Sequence, residues 1–316
     1  MFTISILISL LAFFYLLGKA ADLVIYNIRI VGEKLGIKIF FLGILLGFFT
    51  SLPEFAVGIN ATINNISAVS VGNLLGGIVV LFSFILGLSV VLNRNIITNE
   101  KKLISLLLVF IYFLLPLFLG FNRYLSSVDG VILISLYLIL IYYLYWQQKK
   151  DRKSTSNLII HKDKITRSIL LVILGLVLVV VISNIVIRFT SVLLTQWAIP
   201  PFLVGLILFS LGTNLPEIMV TVRSWRRNIK DLSLSNLIGS GMANIFILGF
   251  LSLIKPITIK AATSFYSLIF FMILLFGLVL IFYRSDRRLT RPEGIVLLFI
   301  YLTFLISEIS WMFFID

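Results

Sequence analysis

Apolar runs of roughly 17 to 24 residues, the length needed to cross about 30 Å of hydrocarbon as α-helix, recur along this whole chain between short charged connectors. A segment immersed in lipid must satisfy its own backbone hydrogen bonds, so runs of this kind fold as a bundle of membrane-spanning helices. They fall at about residues 2–24, 39–60, 69–92, 103–120, 129–146, 169–188, 200–222, 232–254, 264–283 and 293–314. Pro200 and Pro292 suit the first turn of a helix, where a missing N–H costs nothing. At 60% hydrophobic and 12% charged over 316 residues, the composition is that of a polytopic helical membrane protein and not of a soluble domain.

The net charge of +13 does not point to nucleic acid, because Lys and Arg sit in connectors and form no basic domain. Of the 26 Lys and Arg, all except Lys19, Arg123, Arg188, Lys255 and Lys260 lie in the connectors that follow odd-numbered spans. The positive-inside rule makes that face cytoplasmic and leaves both termini outside, which suits a cell (plasma) membrane. Gly18-Lys19-Ala20 after the first apolar run resembles a signal-peptidase site. No positive charge precedes that run, however, and apolar character resumes after Asp22, so a retained first helix is expected. Trp146, Trp197, Trp225 and Trp311 fall near span ends and read as interfacial anchors. Without cysteine the chain can build neither a disulfide framework nor a thiolate metal site, and its single histidine, His161, reads as a loop residue.

Residues 149–168 form a basic polar loop that divides the chain into a first repeat, 1–148, and a second, 169–316, of five spans each. Adding 163 to a residue number carries Thr50, Leu52, Pro53, Glu54 and Val57 onto Thr213, Leu215, Pro216, Glu217 and Val220, and Asn73, Leu74 and Gly76 onto Asn236, Leu237 and Gly239. The chain is therefore duplicated. An odd number of spans per copy inserts the second copy upside down, giving ten transmembrane helices as two inverted five-helix repeats.

Spacing then sorts the polar groups onto faces. Thr50 and Glu54, like Thr213 and Glu217, are four apart and share a helix face, and Asn236, Ser240 and Asn244 step by four along the eighth span. Pro53 and Pro216 loosen the local hydrogen-bond ladder and free carbonyl oxygens beside the carboxylates. Carboxylate, hydroxyl, amide and carbonyl oxygens are hard ligands suited to Ca2+ or Na+. A buried intramembrane carboxylate is costly without a function, and neither Glu54 nor Glu217 has Lys or Arg nearby in its own span. Asp22, Asp129 and Glu293 are expected near span ends as interfacial residues, and Glu308, which has no repeat partner, is expected to stand outside the site.

The motifs Thr50-Ser51-Leu52-Pro53-Glu54 with Gly72-Asn73-Leu74-Leu75-Gly76, and Gly212-Thr213-Asn214-Leu215-Pro216-Glu217 with Asn236-Leu237-Ile238-Gly239-Ser240, resemble the calcium/cation antiporter superfamily. The branch containing sodium/calcium exchangers is the most similar, and Gly18-Lys19-Ala20-Ala21-Asp22-Leu23 also resembles the family's first-helix pattern. The resemblance implies cation ligands at Thr50, Ser51 and Glu54 of the second span, Thr213, Asn214 and Glu217 of the seventh, and Ser240 and Asn244 of the eighth. It also implies that the first and sixth spans slide across the site. The third span departs from the family pattern, since Gly77, Ile78 and Leu81 stand where polar ligands are usual.

The function this implies is a secondary antiporter exporting Ca2+ in exchange for Na+, with no resident cofactor and no enzymatic activity. Two close carboxylates resist ionising together, so protons are the alternative driving ion. A cation channel and a non-transporting family member are the other readings. Oligomeric state is not fixed by these features.

Overall fold

The computed structural model describes residues 2–34, 48–93, 95–97, 103–150, 164–197, 199–215, 217–218, 233–284 and 288–313. Helices dominate them: α1 (Phe2–Lys34), α2 (Leu52–Ile63), α3 (Ser67–Asn93), α4 (Leu103–Leu119), α5 (Ser127–Lys150), α6 (Lys164–Trp197), α7 (Pro201–Thr213), α8 (Ser233–Ile254), α9 (Ala262–Arg284) and α10 (Arg291–Phe313). Six of these, in α3, α5, α6, α8, α9 and α10, are long and apolar enough to cross a membrane, and the protein is an integral membrane protein. The helices α3 and α7 each widen into a π turn, at Val80–Ile85 and Gly205–Phe209.

Two expectations need correction. The helix α1 is 33 residues long and α6 is 34, well beyond the expected spans at 2–24 and 169–188. Helical hydrogen bonding continues past the apolar stretch into charged sequence, which a reading based on hydropathy cuts short. Asp22 therefore sits within α1 and not near a span end, and Arg188 lies inside α6 with its side chain exposed, not in a connector. The start of the second span, the end of the seventh, Trp225, His161 and most of the basic loop lie outside the described residues.

Four short strands join the two halves. After α3 comes β1 (Asn95–Ile97), and β2 (Tyr124–Leu125) precedes α5; β3 (Ile257–Thr258) follows α8, and β4 (Arg288–Thr290) precedes α10. The first pairs antiparallel with the fourth, Ile96 opposite Leu289, and the second with the third, Tyr124 opposite Thr258. Since α4 separates β1 from β2, the two ribbons close opposite ends of the bundle.

The same reciprocity runs through the helix contacts. The helix α3 packs on α10 through Gly87 and Gly294, where an added Cβ at Gly87 would lie 2.9 Å from the Gly294 carbonyl oxygen. The corresponding pair α5 and α8 meets through Gly130 and Gly249, with 2.5 Å from a Cβ at Gly130 to the Gly249 carbonyl oxygen. Capping repeats as well: Asp129 Oδ2 accepts from the Ser126 N–H at 2.8 Å at the start of α5, and Glu293 Oε2 accepts from the Thr290 N–H at 2.6 Å at the start of α10. Asp129 and Glu293 are thus helix-end residues, as expected.

The buried apolar side chains separate into two clusters. The larger joins α3, α4, α5, α8, α9, α10 and the start of α7 around Phe82, Phe110, Phe113 and Phe276, the last stacked on Phe110 with ring centroids 4.5 Å apart. The smaller joins α1 and α6 to parts of α2 and α7 around Leu10, Phe14, Leu17, Val186 and Phe209. A polar clamp holds α2 to α6 within the smaller one: Asn60 Nδ2 donates to Ser183 Oγ and Asn184 Nδ2 donates to Asn60 Oδ1, each at 2.9 Å. An interhelical hydrogen bond in lipid contributes about 1 kcal/mol. Asn60→Ala and Asn184→Ala are accordingly expected to cost about that much singly and less than the sum together, read as thermal denaturation in a double-mutant cycle.

Candidate cation site

The two Pro-Glu segments break their helices at equivalent residues in nearly the same conformation. Ser51 has φ −88° and ψ 11°, and Asn214, 163 positions later, has φ −87° and ψ 8°. Each break precedes a proline by two residues. Pro53 has no N–H for the Phe49 carbonyl, so the ladder is interrupted beside Glu54. Helix resumes at once, with the Phe55 N–H bonded to Ser51 O at 3.0 Å and the Ile218 N–H to Asn214 O at 3.1 Å.

These breaks bring the expected residues of α2, α7 and α8 together against α3. Glu54 is 2% exposed and Glu217 3%, and Thr50, Ser51, Thr213, Asn214, Ser240 and Asn244 are buried with them. Thr50 Oγ1 and Ser240 Oγ stand 2.9 Å apart, joining α2 to α8, and the Ser51 hydroxyl donates to the Ser240 carbonyl at 3.4 Å. The Thr213 hydroxyl donates to Asn73 Oδ1 at 3.0 Å, joining α7 to α3. Asn244 Nδ2 donates to the Leu74 carbonyl at 3.3 Å, joining α8 to α3. The Glu54 carboxylate reaches across to Thr213 of the other repeat, and the two glutamates lie close enough to act on each other.

Three oxygens at this junction have no hydrogen-bond partner among the described residues: Glu54 Oε2, Glu217 Oε2 and Asn244 Oδ1. Buried carboxylate oxygens without a partner call for a proton or a cation. No group of three or more His, Cys, Asp or Glu side chains capable of holding a metal occurs among the described residues. The junction instead gathers two carboxylates and several neutral oxygens, all of them hard donors.

The third helix makes the junction asymmetric. A serine at 77 would be the repeat counterpart of Ser240; with Gly77 there, the Thr213 hydroxyl has Asn73 Oδ1 and the Phe209 carbonyl within reach, each at 3.0 Å. The vacated space is filled by amides: a Cβ at Gly77 would lie 3.0 Å from Asn244 Nδ2 and 3.2 Å from Asn214 Nδ2. Leu81, fully buried in the larger apolar cluster, offers no oxygen. Two residues at the junction were not expected there as site residues. Asn73 holds Thr213, and its match to Asn236 in the duplicated motif was the available signal. Asp22 of α1 lies near enough to Glu217 to act on its charge, a placement that the underestimated length of α1 concealed.

The sequence profile described as "Sodium/calcium exchanger protein" matches residues 5–146 and 167–309. Among curated proteins, the chain is 34% identical to "Inner membrane protein YrbG" of Escherichia coli (strain K12) over 131 residues, 41% of this chain and 40% of that one. It is 37% identical to "Sodium/calcium exchanger MaX1" of Methanosarcina acetivorans over 109 residues, 34% of this chain and 31% of that one. The aligned stretches thus span well under half the length of these relatives. The structure of NCX_Mj, a sodium-calcium exchanger, soaked with 2.5 mM Na+ and 10 mM Sr2+, shares the fold with a TM-score of 0.66 at 23% identity, covering 95% of this chain and 99% of that one. The crystal structure of the H+/Ca2+ exchanger CAX shares it with a TM-score of 0.79 at 14% identity, covering 95% and 82%.

Proposed function

The chain belongs to the sodium/calcium exchanger family, and on that premise we propose that it is a secondary antiporter. In this reading it exports Ca2+ in exchange for Na+ by alternating access around Glu54 and Glu217. The observation that carries it is the convergence of the three unpartnered buried oxygens of Glu54, Glu217 and Asn244 from both repeats onto one junction. Two carboxylates neutralise one Ca2+, with Thr50, Ser51, Thr213, Asn214 and Ser240 supplying further oxygens. Exchange follows when Ca2+ and the driving ion compete for the same two carboxylates and so cross at different times.

The architecture proposed for this is ten spans in two inverted repeats, 1–148 and 169–316, supported by the reciprocal ribbons, glycine contacts and caps. The charge asymmetry of the connectors supports a cytoplasmic 149–168 loop with both termini outside. The relative YrbG, an inner membrane protein, supports a plasma-membrane site. Such a protein is a transporter and not an enzyme.

The absence of side-chain oxygens at Gly77 and Leu81 favours a second reading, in which protons take the place of Na+, since a site with fewer ligands holds fewer sodium ions at once. Purified protein in sealed vesicles decides between them. Radioactive Ca2+ uptake driven by an outward Na+ gradient and not by an outward H+ gradient is the expected result; the reverse selects the proton, and uptake under neither gradient overturns antiport. Flux that follows voltage alone identifies a channel.

A further inference from the structure

Outside the central junction, one other carboxylate is fully buried among the described residues. Glu308 lies on α10, in the stripe Leu297, Tyr301, Phe304 and Glu308 that faces inward, and it is 0% exposed. Neither carboxylate oxygen has a hydrogen-bond partner among the described residues. Ser264 and Ser267 stand beside it on α9, the helix packed against α10, and their hydroxyls likewise have no hydrogen-bond partner among the described residues. Elsewhere the chain treats such hydroxyls differently. Ser83, Thr190, Ser191 and Ser210 each donate to the carbonyl four residues earlier in their own helix. Ser267 leaves that bond unmade beside a buried carboxylate, and Ser264, in the first turn of α9, has no residue of its own helix four positions earlier.

We propose that Glu308, Ser264 and Ser267 form a second cation site, between α9 and α10, that takes one monovalent hard cation of the Na+ class. The charge selects the valence. One carboxylate and neutral hydroxyls balance a single positive charge, whereas Ca2+ would stay half-neutralised and short of its usual six to eight oxygens. All of the donors are hard oxygens, which excludes soft metals. The site stands near the first turn of α9 and the last turns of α10, within two turns of the bundle end closed by β2 and β3. Neither helix supplies any of the residues that meet around Glu54 and Glu217, so the inference does not depend on the transport reading.

Equilibrium binding of radioactive 22Na+ to the purified full chain tests it, in a Glu54→Gln/Glu217→Gln background that removes the central carboxylates. Saturable Na+ binding is expected to persist there. It should fall at least about tenfold in affinity on adding Glu308→Gln, which keeps the side chain's size, and again in a Ser264→Ala/Ser267→Ala pair. Hydrogen exchange of the α9 and α10 peptides in the otherwise unaltered protein should slow when Na+ replaces N-methyl-D-glucamine, and Glu308→Gln should abolish that difference. No saturable Na+ binding in the background, or binding and exchange unchanged by Glu308→Gln, overturns the site and leaves a protonated side chain joining two helices. A central site that fails to carry Ca2+ would appear separately, as lost Ca2+ uptake with this Na+ binding intact.

Discussion

Glu54→Gln and Glu217→Gln are each expected to reduce Ca2+ uptake into vesicles by at least roughly 100-fold while leaving a folded, monodisperse protein. Two unit charges 4 Å apart attract by about 4 kcal/mol at the effective dielectric of a partly solvated site, and a divalent ion doubles that. Even with half of this recovered by the amide oxygen, more than 1.4 kcal/mol remains for each of two factors of ten. Folding should survive because both carboxylates already carry an oxygen with no hydrogen-bond partner among the described residues, so their neutralisation removes a buried charge and not a structural contact. Asn244→Ala should be milder, since it removes one neutral oxygen together with the bond to Leu74. Full uptake by either glutamine variant would remove the glutamates from the transport site.

The largest effect on folding is expected where α3 crosses α7. An added Cβ at Gly205 would lie 2.0 Å from the Val69 carbonyl oxygen, and one at Gly72 would lie 2.1 Å from that of Phe202. The obstacle in both cases is main chain, which cannot rotate away as a side-chain tip can. Overpacking of ordinary cores costs about 1–3 kcal/mol, and a clash with backbone on both sides exceeds that range. Gly72→Val and Gly205→Val should therefore fail to give a monodisperse protein by fluorescence-detected size-exclusion chromatography, or should melt far below the unaltered chain. Gly277→Ala is the control, because nothing lies within 4 Å of a Cβ there and alanine is the better helix former. A Gly205→Val protein that melts normally would mean that the two helices do not approach as closely as described. This crossing carries the Thr213–Asn73 bond, so even a small separation would be felt at the junction around Glu54 and Glu217.

Much of the gathering of residues around Glu54 and Glu217 was readable from residue order alone, because the sequence repeat gives two versions of each feature to compare. The 163-residue offset located both helix breaks, and the four-residue steps put Thr50 with Glu54 and Ser240 with Asn244. The poorer third helix was equally visible at Gly77 and Leu81. What the order of residues did not contain is what fills the space beside Gly77, since Asn214 and Asn244 arrive there from helices more than a hundred positions away. Glu308 illustrates the same limit, its serines lying on a neighbouring helix that no periodicity links to it. The strands escaped notice for another reason: pairs of two or three residues in polar connectors are too short to show any alternation. Hydropathy also misjudged α1, where helix persists into charged sequence and carries Asp22 toward the site.

The two ribbons bear on how the protein is made. Both tie a strand from the first half to one from the second, and β1 is complete nearly two hundred residues before β4 exists. Until the second half has been made, the first half of the chain must wait with Asn73 and Glu54 lacking the Thr213 that they meet in the finished protein. Insertion and assembly are thus separate events. The late one, when the second half docks and the ribbons close at both ends, is the step at which an unfinished chain is most exposed to misassembly and proteolysis.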